Sequence, residues 1–173
     1  MRCVPEGANV RCVASAYNID TAFQDATATG EWFSTGAAGT FPEPGLFVPA
    51  SHGEVTISMR FRGHEADTKS TFLVGPNEPA QRLYWVAGVV LDAASGARIP
   101  GATVRILDGY AAGKSAITNE NGAYRIEPLL TGETFTATAS KEGYQPVTTT
   151  YRVDSPIGPA GLNPPFLDFK LAR

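Results

Sequence analysis

The chain has 173 residues, 43% of them hydrophobic and 18% charged, with a net charge of −3. That length suits one domain or two small ones, and an apolar share near the globular average lets each half build a core. The charge leaves no basic footprint for nucleic acid or an anionic membrane surface, and no apolar run approaches the roughly 20 residues that span a bilayer.

The chain opens on Met1-Arg-Cys-Val-Pro-Glu6, which lacks the apolar stretch of a signal peptide. It therefore reads as a mature or excised piece of a larger product, or as a cytosolic chain. Cys3 and Cys12 bear on that choice. A two-residue type II′ turn at Gly7-Ala8, with glycine supplying the positive φ, pairs Glu6 with Asn9, Pro5 with Val10, Val4 with Arg11 and Cys3 with Cys12. The last pair is non-hydrogen-bonded, where side chains approach closest and a cross-strand disulfide can close. Two separately buried thiols are the alternative. A metal site would need further ligands, and no histidine lies near. A Cys3–Cys12 bridge implies an oxidising compartment: extracellular or cell-surface, with the periplasm as the other option.

Val10, Cys12, Ala14 and Ala16 alternate with Arg11, Val13, Ser15 and Tyr17, the period of a half-buried strand. Thr29–Thr35 and Gly45–Val48 follow as strands, separated by a turn-rich stretch. The cleanest alternation sets Val55, Ile57, Met59 and Phe61 against Thr56, Ser58, Arg60 and Arg62, and Lys69–Val74 completes the first half. Val10–Ala16, Trp32-Phe-Ser34 and Gly53-Glu-Val-Thr-Ile57 together resemble the bacterial immunoglobulin-like group 2 family, although Gly36–Pro44 departs from its pattern. That resemblance implies an immunoglobulin-like sandwich over 1–74. Gly75-Pro-Asn-Glu-Pro-Ala-Gln-Arg82, with two prolines, reads as a semi-rigid linker that cannot continue a sheet.

Seven strands are expected in 83–173: 84–91, 102–107, 115–118, 123–127, 133–140, 146–153 and 166–172, with a proline-broken loop at 154–165. Trp85–Asp92, Gly96, Ile99-Pro-Gly-Ala-Thr-Val104, Thr118–Tyr124, Leu129-Leu-Thr-Gly132 and Lys141-Glu-Gly-Tyr144 follow one another in an order that resembles the carboxypeptidase regulatory-like family. The resemblance implies a transthyretin-like seven-stranded module that supplies structure, spacing or contacts and carries no catalytic site. The zinc motif of the peptidase domain is absent.

Chemistry finds little purchase. Only His52 and His64 are present, and His64-Glu65-Ala-Asp67 reads as a charged turn because a strand sends adjacent side chains to opposite faces. No nucleophile elbow or phosphate loop occurs. Asn119-Glu120-Asn121-Gly122 and Asp92–Gly96 carry oxygens but too few acids for a tight calcium site, and each reads first as a turn. Some related adhesin domains lock themselves with an isopeptide bond, which needs a buried lysine. Lys170 alternates outward, while Lys114 and Lys141 sit in turns, so none is expected. Trp32, Phe61, Phe135 and Tyr124 read as core, and Tyr144 as packing at a sandwich end. Tyr110, in the glycine-rich loop Asp108–Lys114, and Trp85, beside Tyr84 at the junction, are the candidates for stacking on a ligand.

The expectation is an all-β chain of two antiparallel β-sandwich domains in tandem, immunoglobulin-like then transthyretin-like. It has no catalytic residue, metal or cofactor. It serves as a structural or interaction segment of a bacterial extracellular or cell-surface protein, with fibre or adhesion roles in view. Its partners are domains of the same or neighbouring chains. The alternative is a carbohydrate-binding accessory module that takes a glycan on Tyr110 or Trp85.

Overall fold

The computed structural model describes residues 1–18, 21–153 and 166–173, and among these there is no helix. The protein is all-β, with several antiparallel sheets packed as β-sandwiches. It divides into two compact units, Met1–Leu83 and Tyr84–Arg173.

In the first unit, β1 (Arg2–Glu6) and β2 (Asn9–Val13) form the opening hairpin. Its register is Cys3 to Cys12, Val4 to Arg11, Pro5 to Val10 and Glu6 to Asn9. Gly7 has φ +62° and Ala8 is not in the left-handed region, which is the type II′ geometry. The chain continues through β3 (Ser15–Asn18), β4 (Thr21–Asp25), β5 (Glu31–Gly36), β6 (Gly39–Glu43), β7 (Leu46–Pro49), β8 (Gly53–Phe61), the short β9 (His64–Glu65) and β10 (Ser70–Gly75). One sheet runs β1-β2-β7-β6. The facing one has β5, β8 and β10, joined by the first residues of β11 (Glu78–Asp92). Between them Cys3, Val10, Cys12 and Phe47 meet Val55, Ile57, Phe72, Val74 and Ala80. Alternation along each strand is what puts these residues on one side.

Three expectations need correction. Gly75–Arg82 is no linker: β10 and β11 form a hairpin over Pro76-Asn77, with Leu73 opposite Gln81 and Gly75 opposite Glu78. Pro76 suits a turn position because its ring presets φ, and Pro79 is tolerated where the register shifts between Leu73 and Gly75. The stretch Gly36–Pro44 holds the strand β6, whose Pro42 sits on a sheet edge. Trp32 and Phe61 are half-buried at the margin of a small cluster of Ala14, Ala26 and Met59, so they are not central core. The Trp32 indole N–H needs a partner there and donates to the Thr27 carbonyl at 2.9 Å.

The second unit uses the rest of β11 with β12 (Thr103–Ile106), β13 (Ser115–Ile117), β14 (Ala123–Leu130), β15 (Thr134–Ser140), β16 (Val147–Arg152) and β17 (Phe169–Leu171). These are the seven strands read from the sequence, with ends shifted by a few residues. One sheet runs β13-β12-β15-β16; the other pairs β14 with β11 and, in parallel, β11 with β17. Val86, Val90, Val104, Ile106, Phe135 and Phe169 lie in the core between them. Gly88 makes the β17 side possible, because a Cβ there would collide with the Leu167 carbonyl. Tyr124 is core, as its alternation requires, and its hydroxyl donates to that same carbonyl. The 154–165 loop lies outside the described residues.

Candidate functional site

Cys3 and Cys12 are disulfide-bonded across the hairpin, with Cα atoms 4.0 Å apart and no exposed surface on either residue. The bridge is part of the first core.

Trp85 is half-buried on β11. Tyr84 stacks on it with ring centres 5.2 Å apart and planes 24° from parallel. The Arg125 guanidinium lies 4.7 Å from the indole centre. Arg125 comes from the neighbouring β14, where Tyr124 and Ile126 point to the core and Arg125 and Glu127 point out. Glu127 Oε2 accepts from Arg125 Nε at 3.0 Å and Nη2 at 2.6 Å, which holds the guanidinium plane in place. Aromatic, cation and carboxylate thus share one strand surface, a set able to stack on an apolar ring face and hydrogen-bond polar substituents. A ligand on the indole face under Arg125 must first displace that cation. Tyr84 is legible in the sequence as the neighbour of Trp85, but the sequence does not bring Arg125 and Glu127 to it. The signal was there in the outward alternation of Arg125 and Glu127, but not in which strand lay beside β14.

Tyr110 does not ride on a free loop. Its backbone N–H donates to both Glu133 carboxylate oxygens, at 2.9 and 3.1 Å, and its side chain is half-buried. On the same loop Asp108 Oδ1 accepts from the Thr136 N–H at 2.6 Å, and that hydrogen bond holds the carboxyl below its usual range. Ala111 is anchored in the core. Glycine content suggests flexibility, whereas Glu133 from further along the chain and the loop's own Asp108, bonded to Thr136, pin the segment.

The oxygen-rich turns are likewise spoken for. Asp92 Oδ1 accepts from the N–H groups of Ala94 and Ser95, at 3.0 and 2.8 Å, and from the Ser95 hydroxyl at 2.9 Å. Its other oxygen accepts from the Tyr144 hydroxyl at 3.1 Å and lies 3.5 Å from Arg173. Hydrogen bonds from Ser95 are the main reason its pKa falls to about 2. Asn119 Oδ1 accepts from the N–H groups of Asn121 and Ala123, closing the hairpin turn. His64 and Glu65 are exposed on β9, with Glu65 paired to Lys69 at 2.8 Å. His52 lies 3.7 Å from Glu78 on the surface. Lys170 is exposed, and Lys114 and Lys141 donate to the Glu127 and Gly101 carbonyls. Among the described residues no group of three or more histidine, cysteine or acidic side chains is placed to hold a metal ion.

A curated relative is "Chitinase ChiA" of Flavobacterium johnsoniae, 29% identical over 149 residues, which is 84% of this chain. The chain spans 8% of that relative's length. Among solved structures, the TIE protein of Bacillus anthracis is 9% identical, covering 88% of this chain and 36% of its own, with a TM-score of 0.40. The major pilin subunit of Bacillus cereus is 13% identical, covering 99% and 56%, with a TM-score of 0.32. Chlorocatechol 1,2-dioxygenase from Pseudomonas putida is 16% identical, covering 54% and 61%, with a TM-score of 0.40. Likenesses this remote carry no argument about activity. The family model is more specific: residues 86–160 match the carboxypeptidase regulatory-like domain.

Proposed function

We infer that this chain is a non-enzymatic structural and interaction segment of a bacterial extracellular or cell-surface protein, built from an immunoglobulin-like unit and the regulatory-like domain. The observation that carries this reading is the use made of the acids. Asp25, Asp92 and Asp108 all have lowered pKa values, and in each case a backbone N–H of a turn or loop is among the donors. Catalytic acids are tuned toward the working pH and aimed at a cleft; these are tuned away from it and spent on loop geometry. The buried disulfide suits an oxidising compartment. The chitinase relative supports a role as one small part of a much longer protein.

The second reading, a carbohydrate-binding accessory module, is favoured by the Trp85–Tyr84–Arg125–Glu127 surface and by the name of that relative. Sedimentation with insoluble chitin, cellulose and peptidoglycan separates the two. The structural reading expects the protein to stay in the supernatant. Retention on one polymer that is lost in W85A and R125A, with unchanged melting, would replace it with the second.

A further inference from the structure

Sheet edges are templates for pairing, and folded proteins blunt them with proline, charge, bulges or shortness. Most edges in this protein are blunted. β1 carries Pro5, and β6 carries Pro42 and a register shift between Thr40 and Glu43. β14 has Pro128 besides Arg125 and Glu127, and β13 is three residues long. β5 starts at Glu31 and ends at Gly36, whose φ is +101°. β16 differs. Val147-Thr-Thr-Thr-Tyr-Arg152 has no proline, glycine or acid, four consecutive β-branched residues, and one charge at its last position. Pro146 stands just outside it. Among the described residues a strand pairs with β16 on one side only, namely β15.

On the inward face of β16, Val147, Thr149 and Tyr151 lie opposite the buried Ala139, Ala137 and Phe135 of β15, and Val147 and Tyr151 pack against the core. The geometry points to a second copy of this chain as the occupant, with β16 pairing antiparallel to β16 about a twofold axis through Thr149. That register sets Val147 opposite Tyr151, Thr148 opposite Thr150, and Arg152 opposite Pro146, so no like charges meet. The backbone is oriented for it. Leu107 donates its N–H to the Thr136 carbonyl, so Thr136 gives its main-chain groups to the β12 side. Thr150, opposite Thr136, therefore turns its own N–H and carbonyl away from β15, and Thr148, two residues back, does the same. Thr148 of each copy then exchanges main-chain hydrogen bonds with Thr150 of the other, and Pro146, which has no N–H, ends the ladder.

Aromatic–β-branched and Thr–Thr pairs are the favourable cross-strand combinations. The intact sheet already makes the Thr–Thr match, with Thr148 donating to Thr138 at 3.2 Å, and there Tyr151 meets an aromatic partner, Phe135, with ring centres 5.9 Å apart. Two four-stranded sheets then join as one of eight, with the strands of the two copies related by the twofold axis. The pairing extends the interaction role proposed above by naming the partner.

Sedimentation equilibrium of the oxidised chain up to about 1 mM, the range where small interfaces associate, tests it. The wild type is expected to show a monomer–dimer equilibrium. T148K/T150K sets lysines against each other across the axis on the exposed face, and at least a tenfold rise in the dimer Kd is expected with unchanged melting. Mixing it with T148E/T150E should restore association, an outcome that fold damage cannot produce. A wild type that stays monomeric at about 1 mM, or lysine and glutamate variants that fail to associate when mixed, would overturn the pairing. Either result leaves the glycan sedimentation assay to decide the structural role by itself.

Discussion

At the scale of single residues, the polar side chains in this protein act as internal turn partners. Asp92 is the fullest case, with three donors on one oxygen and a tyrosine hydroxyl on the other. Because its folded pKa lies near 2 against an ordinary 3.8, its stabilising contribution is complete above about 3.8 and is lost as pH falls through about 2. Denaturant midpoints measured across that interval should fall with pH in the wild type. D92N removes the ionisable group, so it should start lower at neutral pH and show a shallower acid slope. Equal slopes would mean that other acids govern the acid response. The sequence marks Asp92-Ala-Ala-Ser-Gly96 as a turn, but not that Tyr144 and Arg173 meet it from far along the chain.

Among the elements, alternation did most of the specifying. Seven strands of the second unit were legible because apolar residues recur at every second position between glycine-bearing turns. Gly75–Arg82 was misread because proline marks both linkers and turns, and only pairing with β10 shows which is meant. Gly88 illustrates an element held by the absence of an atom. G88A must push the chain at Leu167 away from β11 and disturb the parallel β11–β17 pairing. A loss of about 1–3 kcal/mol is expected, the usual cost of overpacking, read from urea unfolding. A neutral G88A would show that this edge yields freely.

For the whole molecule, two separate cores and one disulfide make a sharper test. The Cys3–Cys12 bridge closes a short loop in the first unit, worth about 2–3 kcal/mol on the chain-entropy model. Trp32 reports the first unit and Trp85 the second, so W85F and W32F give one probe for each. Reduction should lower the transition seen by Trp32 and leave that seen by Trp85 in place. A shift of both together would mean that the units unfold as one.

The sequence by itself determined the class of the protein, the strands of its second half and the register of its first hairpin. Each follows from period-two alternation and from glycine at a turn, which are local facts of the chain. The candidate surface was legible only as Trp85 and Tyr110. Tertiary structure alone decided that Arg125 covers the first and that Glu133 and Asp108 tie down the second's loop. It also decided that Thr148, Thr149 and Thr150 lie on the outermost strand of their sheet among the described residues, since strand order depends on which distant segments pair. Alternation says which way a side chain points, and only packing says what it meets.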